Sequence, residues 1–282
     1  MFGKLNCVSA EGNRYNEDAV FYNDKLLLVM DAATNLNKVK LTTEGSDGCW
    51  FSKNAISLLA GYLADEARPV QDALMQVAGE LRAELDRMGA NGDVAMYPSG
   101  SVLIVRECKD KIELYSLGDC SAIIRFRNGE QDRYLHDDAV TKLDNAVIAR
   151  LQELHRESGR AVAELLPDVD ELLRENRAKR NRENGYWIFD PTGTGVEHGQ
   201  RYEWPKEIVK DVTLMSDGFC CLADQEADLS LESLVKRLEQ EPAERIVTEI
   251  FTCLEGDPLF NRYPRFKMKD DASVIYAQVD CI

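Results

Sequence analysis

Histidine is scarce in this chain: His136, His155 and His198 are the only three, and they lie far apart. A histidine-built zinc site is therefore a poor reading. The eight cysteines (Cys7, Cys49, Cys108, Cys120, Cys220, Cys221, Cys253 and Cys281) include no C-x-x-C pair, and the adjacent Cys220 and Cys221 do not easily bridge each other. Scattered thiols of this kind read as reduced core residues and suggest a cytoplasmic protein. Positive charge is also short, with 34 Lys and Arg against 50 Asp and Glu, a net charge of −16 and a pI near 4.7. That balance argues against nucleic acid or an anionic membrane as partner, because phosphate binding needs a cationic face. A phosphorylated substrate is repelled as well, unless cations sit in its site. No apolar run approaches the length of a membrane span. The opening MFGKLNCVSAEGN has no apolar core of a secretion signal. Cys281, second from the end, is in the wrong place for a prenylation box.

What remains is ordinary for a globular protein: 44% hydrophobic and 30% charged residues over 282 positions, enough to bury a substantial core. Ala19 to Tyr22 and Leu26 to Met30 are β-prone runs separated by Asn23-Asp24-Lys25, a hairpin signal. Residues 36 to 50, polar and glycine-containing, read as a loop. Phe51, Ala55, Leu58, Leu59, Tyr62 and Leu63 share one helical face. Val70, Leu74, Val77, Leu81, Leu85 and Met88 mark a second, with Pro69 suited to its first turn. From Gly100 the period changes. Ser101 to Arg106, Ile112 to Leu117 and Ala122 to Phe126 read as strands joined by short turns, which makes them antiparallel neighbours.

Residues 143 to 183 read as a charged, solvated helical stretch, and Gly185 to Pro205 as a loop or short strand pair. Thr192-Gly193-Thr194-Gly195 is not a phosphate loop, since no Lys-Ser/Thr follows it. Val212 to Met215 is a strand ending at Ser216-Asp217-Gly218. Leu231 to Leu238 and Ala243 to Leu254 are helices, and Val274 to Val279 is a last strand. No linker or repeat divides the chain, so residues 1 to 282 read as a single α+β domain, with antiparallel sheets covered by helices.

The chemistry is carried by acids. Leu26 to Met30 is an unbroken apolar run that ends in Asp31. A carboxylate at the mouth of a buried strand is held rigidly and partly dried, as a metal ligand or catalytic acid requires. A single case has a plainer reading, because Asp also starts turns. The device recurs, however: Glu17-Asp18 precedes the first strand of the hairpin, Asp217 follows the strand at 212, and Asp270-Asp271 precedes the last strand. Asp119 lies in Leu117-Gly118-Asp119-Cys120. Carboxylates gathered without cations repel one another. Hard divalent cations relieve that repulsion and take oxygen ligands. Two such ions about 4 Å apart generate a hydroxide for attack on a phosphoryl group. The residues alone therefore point to an oxygen-ligand metal site of hydrolytic type.

The motifs also resemble a known family. Asn16-Glu17-Asp18-Ala19, Val29-Met30-Asp31, Ser99-Gly100-Ser101, Gly118-Asp119, Leu214-Met215-Ser216-Asp217-Gly218 and Asp270-Asp271-Ala272-Ser273 occur in the order and rough spacing of the metal-dependent, type 2C protein phosphatases. The resemblance runs from about residue 6 to 280. It implies a sandwich of two antiparallel β-sheets flanked by helices, and two Mn²⁺ or Mg²⁺ ions in a cleft at one end. Asp31 would bridge both ions, and Asp217 and Asp270 would hold the first. The Ala32 carbonyl would help hold the second, with Glu17 and Asp18 ordering its waters. Asp119, with Asp217, matches the place where some relatives bind a third ion. The activity implied is hydrolysis of phosphoserine or phosphothreonine on a phosphoprotein, by in-line attack of a metal-bridging hydroxide. The protein would act as a cytoplasmic monomer, with residues 137 to 205 in the place of a variable flap. Gly100 and Ser101 would be structural.

Three positions depart from the family pattern. Where relatives have a glycine-rich turn after the bridging acid, this chain has Ala32-Ala33-Thr34-Asn35, which would be strained if the turn needs positive φ. Arg14, the candidate substrate-binding residue, sits one position nearer Glu17 than the family's phosphate-binding arginine does. Asp271 replaces the usual Asn, which leaves Asp270 as the ligand and Asp271 as a group behind it. These departures keep open a catalytically impaired relative that binds a phosphoprotein or regulatory partner. A third reading makes Asp31 a covalent nucleophile, since Asp31-x-x-Thr34 loosely echoes the haloacid-dehalogenase-like phosphatases. Those want a second acid two residues on, where this chain has Ala33, and a parallel sheet that the short hairpins contradict.

Overall fold

A computed structural model describes residues 1–35, 39–43 and 45–280. Ten strands form two five-stranded antiparallel sheets. The first sheet holds, in spatial order, β1 (Phe2–Ala10), β10 (Ala272–Val279), β9 (Val209–Met215), β6 (Ser121–Phe126) and β7 (Arg133–Leu135). The second holds β2 (Asp18–Tyr22), β3 (Leu26–Ala33), β4 (Ser99–Cys108), β5 (Lys111–Leu117) and β8 (Gln200–Pro205). Helices α1 (Asp47–Tyr62) and α2 (Val70–Leu85) cover the second sheet. Helices α7 (Leu231–Leu238) and α8 (Ala243–Glu255) cover the first, and α6 (Asp217–Cys220) is a single turn after β9. The expected α+β sandwich flanked by helices is the observed architecture.

Strand periodicity assigns the layers. Successive side chains of a strand point to opposite faces, and a strand buried on both faces reads as an apolar run. Leu27 and Val29 of β3 and Leu103 and Val105 of β4 enter the core between the sheets, against Val212, Leu214, Ile275 and Ala277. The alternate residues Leu28, Met30, Val102 and Ile104 pack under α1 and α2, against Phe51, Leu59, Leu74 and Leu81. On the far side, Val274 and Tyr276 meet Leu234, Ile246 and Ile250 of α7 and α8. Every residue of β4 is buried, which is why this strand is so plain in the sequence.

Several expectations give way to the structure. The hairpin at 19–30 forms, but β3 does not stop at Met30. It runs on through Asp31, Ala32 and Ala33, which pair with Ser101, Gly100 and Ser99 of β4. Asp31 is thus inside a strand and not at its mouth. None of residues 32–35 has positive φ, so the feared strain does not arise. Gly100 allows the extension: a Cβ there would stand 2.8 Å from the Asp31 carbonyl oxygen. The loop expected through residue 50 ends earlier, because Ser46 caps α1 by accepting the Cys49 N–H (3.1 Å). Residues 36–38 and 44 of that stretch, and Cys281, lie outside the described residues.

β5 and β6 are not neighbours. The short Gly118-Asp119-Cys120 link carries the chain from one sheet to the other. Gly118 makes the turn with φ +94, beside Ser101, where a side chain has neither the angle nor the room. β1 and β7 went unread in the sequence, β1 because it is half-buried and mixed in polarity. Met88 is exposed, since the backbone turns away at Gly89 (φ +114). The 143–183 stretch is not one helix but three: α3 (Ala139–Ser158), α4 (Val162–Leu165) and α5 (Asp170–Arg177). They are not merely solvated. Val147, Leu151, Val162, Leu165 and Val169 form a small core of their own with Phe260. The residues at 185–205 contribute one edge strand, β8, instead of a strand pair. Of the seven described cysteines, all unbridged, Cys49, Cys108 and Cys120 are buried while Cys221 is exposed.

If Gly100 is what lets β3 continue beside Asp31, Gly100→Ala should push the two strands apart at that point. The expected loss is roughly 1–3 kcal/mol, as for other overpacked core positions, read as a lower midpoint in urea unfolding. An unchanged midpoint would show that the approach is not tight.

Candidate active site

The β2–β3 register sets Asp18 directly opposite Asp31. Like charges in that relation destabilise a strand pair, so the arrangement needs an explanation. Asp18 is nearly inaccessible to water (3%), and neither of its carboxylate oxygens has a hydrogen-bond partner. The hydroxyls of Ser216 and Ser273 lie close enough to favour its charged form in part; Ser273 Oγ donates to Ser9 Oγ (2.8 Å), while Ser216 Oγ accepts the Ser273 N–H (2.9 Å) and keeps its own O–H to donate.

The neighbouring strands of the other sheet deliver two more acids. β9 ends at Met215 and leads into Asp217, and β10 is entered through Asp270. Ser216 N–H donates to the Ser273 carbonyl (3.0 Å), which ties these two ends together. Asp31 and Asp217 are near enough to act on each other's charge. Asp119, at the link between the sheets, completes the set, and Asp31 feels the charges of Asp18, Asp217, Asp270 and Asp119 together. These acids gather where strand ends of the two sheets meet, at what the family resemblance implies is a cleft. Asp217 is open to water and Asp31, Asp119 and Asp270 are half-buried.

The electrostatics follow. Burial first, and then the neighbouring carboxylates, push the Asp18 carboxyl up to about 8 and that of Asp217 up to about 7. Asp31 is held well above the ordinary carboxylate range for the same two reasons. Asp119 rises to about 6, chiefly through burial. Among the described residues no three His, Cys, Asp or Glu side chains stand together closely enough, as placed, to hold a metal ion. The donor set nevertheless fits hard divalent cations: it is all oxygen, mutually repelling, and includes a buried carboxylate with no partner.

The last motif braces the first. Asp271, buried, accepts hydrogen bonds from the backbone N–H groups of Gly12 (2.8 Å), Asn13 (3.4 Å) and Glu17 (2.7 Å). It therefore shapes the loop that leads into Asp18. Glu17 is turned toward the end of β3, where it accepts hydrogen bonds from the hydroxyls of Thr34 and Ser46. Ala32 is buried beside Asp31 and paired with Gly100. Arg14 is exposed, its guanidinium 5.2 Å from the centre of the Tyr15 ring.

Three further charged residues belong to this region and were not singled out from the sequence. Asp144 of α3 is aimed at the cleft. Burial and then the charge of Asp217 raise its carboxyl to about 6. Its spacing from the buried Val147 and Leu151 placed it on the inward face of an amphipathic helix, which was the available signal. Arg177 of α5 donates to the Thr34 carbonyl (3.4 Å), tying the 139–177 helices to the end of β3. Lys267 pairs with Asp270, Nζ to Oδ1 2.5 Å. Nothing in the charged run around it marked it out.

Two outcomes test this geometry. Carboxyls whose pKa is raised by folding stabilise the protein below the unfolded value near 4 and lose that contribution as pH rises through the folded values. Metal-free protein should therefore melt at progressively lower temperature from pH 5 to 8.5, and Mn²⁺ or Mg²⁺ should raise the melting temperature more at pH 8 than at pH 5. A flat metal-free profile would sink this account. Asp271→Ala, which removes the acceptor of three part-buried N–H groups, should cost roughly 1–2 kcal/mol in denaturant unfolding, with Asp271→Asn milder because one acceptor oxygen remains.

No family model matches the sequence, and no curated protein matches it. The fold does have relatives among solved structures. One is the catalytic domain of the serine/threonine protein phosphatase PstP in complex with two manganese ions, 18% identical, with 98% of each chain covered and a TM-score of 0.56. Another is the serine/threonine phosphatase Stp1 from Staphylococcus aureus, 14% identical, covering 100% of this chain and 96% of that one, with a TM-score of 0.56. A third is PppA, a key regulatory component of T6SS in Pseudomonas aeruginosa, 15% identical, covering 98% and 97%, with a TM-score of 0.57. Along nearly its whole length, this chain has the fold of the type 2C serine/threonine phosphatases.

Proposed function

We propose that the protein is a metal-dependent phosphatase that hydrolyses phosphoserine or phosphothreonine on proteins. The observation that carries this reading is the facing pair Asp18 and Asp31, with Asp217 brought against Asp31 from the other sheet. A sandwich gains nothing from such a pair unless cations are meant to lie between the carboxylates. Asp31, Asp217 and Asp270, with the Ala32 carbonyl, would hold two Mn²⁺ or Mg²⁺ ions, Asp18 and Glu17 would order waters around them, and Asp119 with Asp217 would offer a place to a third. When bound, those ions supply Lewis-acid polarisation of the phosphoryl group and a water activated at neutral pH.

The chain's own residues do the rest. The strand backbones of β2, β3, β9 and β10 fix the carboxylates before any ligand arrives, so little reorganisation is left for the reaction itself. Glu17, bonded to Thr34 and Ser46, holds the 12–17 loop against the end of β3. Residues 137–205 act as a flap of one domain spanning 1–282, with Asp144 facing the cleft and Arg177 anchoring its far end. Substrate choice would lie in this flap. The protein so read is a cytoplasmic signalling enzyme, monomeric, with neither nucleic acid nor membrane among its partners.

A second reading has support from the same residues. Glu17 is committed to Thr34 and Ser46, and Arg14 stands over Tyr15. Both would suit a domain that binds a phosphoprotein without turning it over. Hydrolysis of p-nitrophenyl phosphate separates the two. The phosphatase should turn over with Mn²⁺ or Mg²⁺, stop in chelator, and lose at least roughly a hundredfold in kcat in Asp31→Asn and in Asp217→Asn. A folded protein inert with every metal, yet still binding a phosphopeptide, would favour the binding module.

A further inference from the structure

A phosphate dianion entering this cleft approaches a protein of net charge −16 through a ring of carboxylates. Beyond the ions proposed for the site, a cation of the protein beside it would meet the outer oxygens and fix their orientation. Lys267 stands in the cleft itself. Its ammonium is 2.5 Å from Asp270 and its charge acts on Asp217, Asp31 and Asp144. The side chain as a whole is still 49% exposed, so it reaches the acids from a turn at the surface. An ammonium has three N–H donors. Lys267 thus has donors to spare while it keeps its ion pair with Asp270.

The segment presenting it is tightly built. Asp257 accepts the backbone N–H groups of Asn261 (3.0 Å), Arg262 (3.1 Å) and Tyr263 (2.8 Å), and pairs with Arg265 (3.0 Å). Arg265 in turn donates to the carbonyl of Met268 (3.0 Å), the residue after Lys267. Phe260, over which Arg265 lies at 4.0 Å, is held at φ +59. A bulky residue keeps that angle only where its surroundings impose it, and Phe260 is locked into the small core of α3 and α4. Such rigidity costs a surface turn stability it has no need to spend, but it is what placing one charge accurately requires.

We propose that Lys267 is the cation that binds and positions the substrate's phosphoryl group, contributed by the turn that leads into the last acidic motif. This rests on the phosphatase reading and adds a second cation to Arg14, which lies over Tyr15. The ligand it recognises is a phosphate oxygen, through a point charge that tolerates a range of approach angles.

The test is calorimetric titration of the Mg²⁺-loaded protein with inorganic phosphate, together with KM and kcat for p-nitrophenyl phosphate. Lys267→Met should weaken phosphate binding by roughly tenfold or more, the cost of a charge-assisted hydrogen bond. It should raise KM more than it lowers kcat, and Lys267→Arg should recover most of the loss. Lys269→Met removes the same charge two residues away, from a lysine paired with Glu255 (2.5 Å). It should change phosphate affinity by less than about twofold, because that charge is engaged by Glu255 and not by the acids of the site. Unchanged phosphate affinity in Lys267→Met overturns the proposal. So does a rise in Mn²⁺ affinity with no change in phosphate, which would make Lys267 a counter-ion of Asp270 and nothing more. Because phosphate binding is read without turnover, an inert protein that binds phosphate through Lys267 refutes only the phosphatase reading. An active protein indifferent to Lys267→Met refutes only this proposal, and a wild type that binds no phosphate refutes both.

Discussion

Repulsion between Asp18 and Asp31 is the constraint on which the rest of the structure turns. Two carboxylates opposite each other on adjacent strands weaken the very hairpin that carries them. Here the hairpin is nailed down by burial: Leu27 and Val29 enter the inter-sheet core, while Leu28 and Met30 lie under α1 and α2. Apolar burial of that kind contributes about 25 cal/mol per Å², so a strand buried on both faces tolerates an unfavourable pair at its end. The acids are thereby kept at fixed positions, whatever their mutual electrostatics prefer.

The surrounding architecture serves the same end. Each sheet supplies adjacent strands, β2 with β3 and β9 with β10, and the acids sit where the two sheets' strand ends come together. Asp271 bonds the 12–17 loop to the start of β10, so the first and last motifs of the chain are one mechanical unit. The helices of 139–177 are joined to this unit twice. Their core includes Phe260, and Arg177 reaches the end of β3. A change in those helices is thus felt on both sides of the cleft.

Sequence reasoning reached the parts of this design that alternate or saturate in hydrophobicity. β3 and β4, with their apolar runs at 26–30 and 102–105, and the faces of α1, α2, α7 and α8 were legible because burial leaves a pattern behind. The meeting of Asp18 with Asp31 was not legible: counting out from an Asn23-Asp24-Lys25 turn sets Asp31 opposite Glu17, and only the inclusion of Leu26 in the turn brings Asp18 there. β1 was illegible because it is half-buried and carries Lys4, Asn6 and Ser9 among its apolar residues. The change of sheet at Gly118 was illegible because a short link looks the same whether it makes a hairpin or a crossing. The turn after Asp31 was misjudged by analogy: two more rungs of strand removed the need for a special backbone angle. Lys267 and Asp144 were hidden by charged surroundings, where only the fold distinguishes an inward residue from a solvated one.

The strap between Asp271 and the 12–17 loop also bears on how the protein comes off the ribosome. β1 pairs with β10, and the residues they join are more than 250 positions apart. The first acids to be synthesised wait, unbraced, until almost the entire chain has emerged. Long-range pairing of this kind is slow and leaves strand edges open in the meantime. A nascent or prematurely terminated chain therefore has no assembled cleft, and any chemistry the cleft performs is confined to finished molecules.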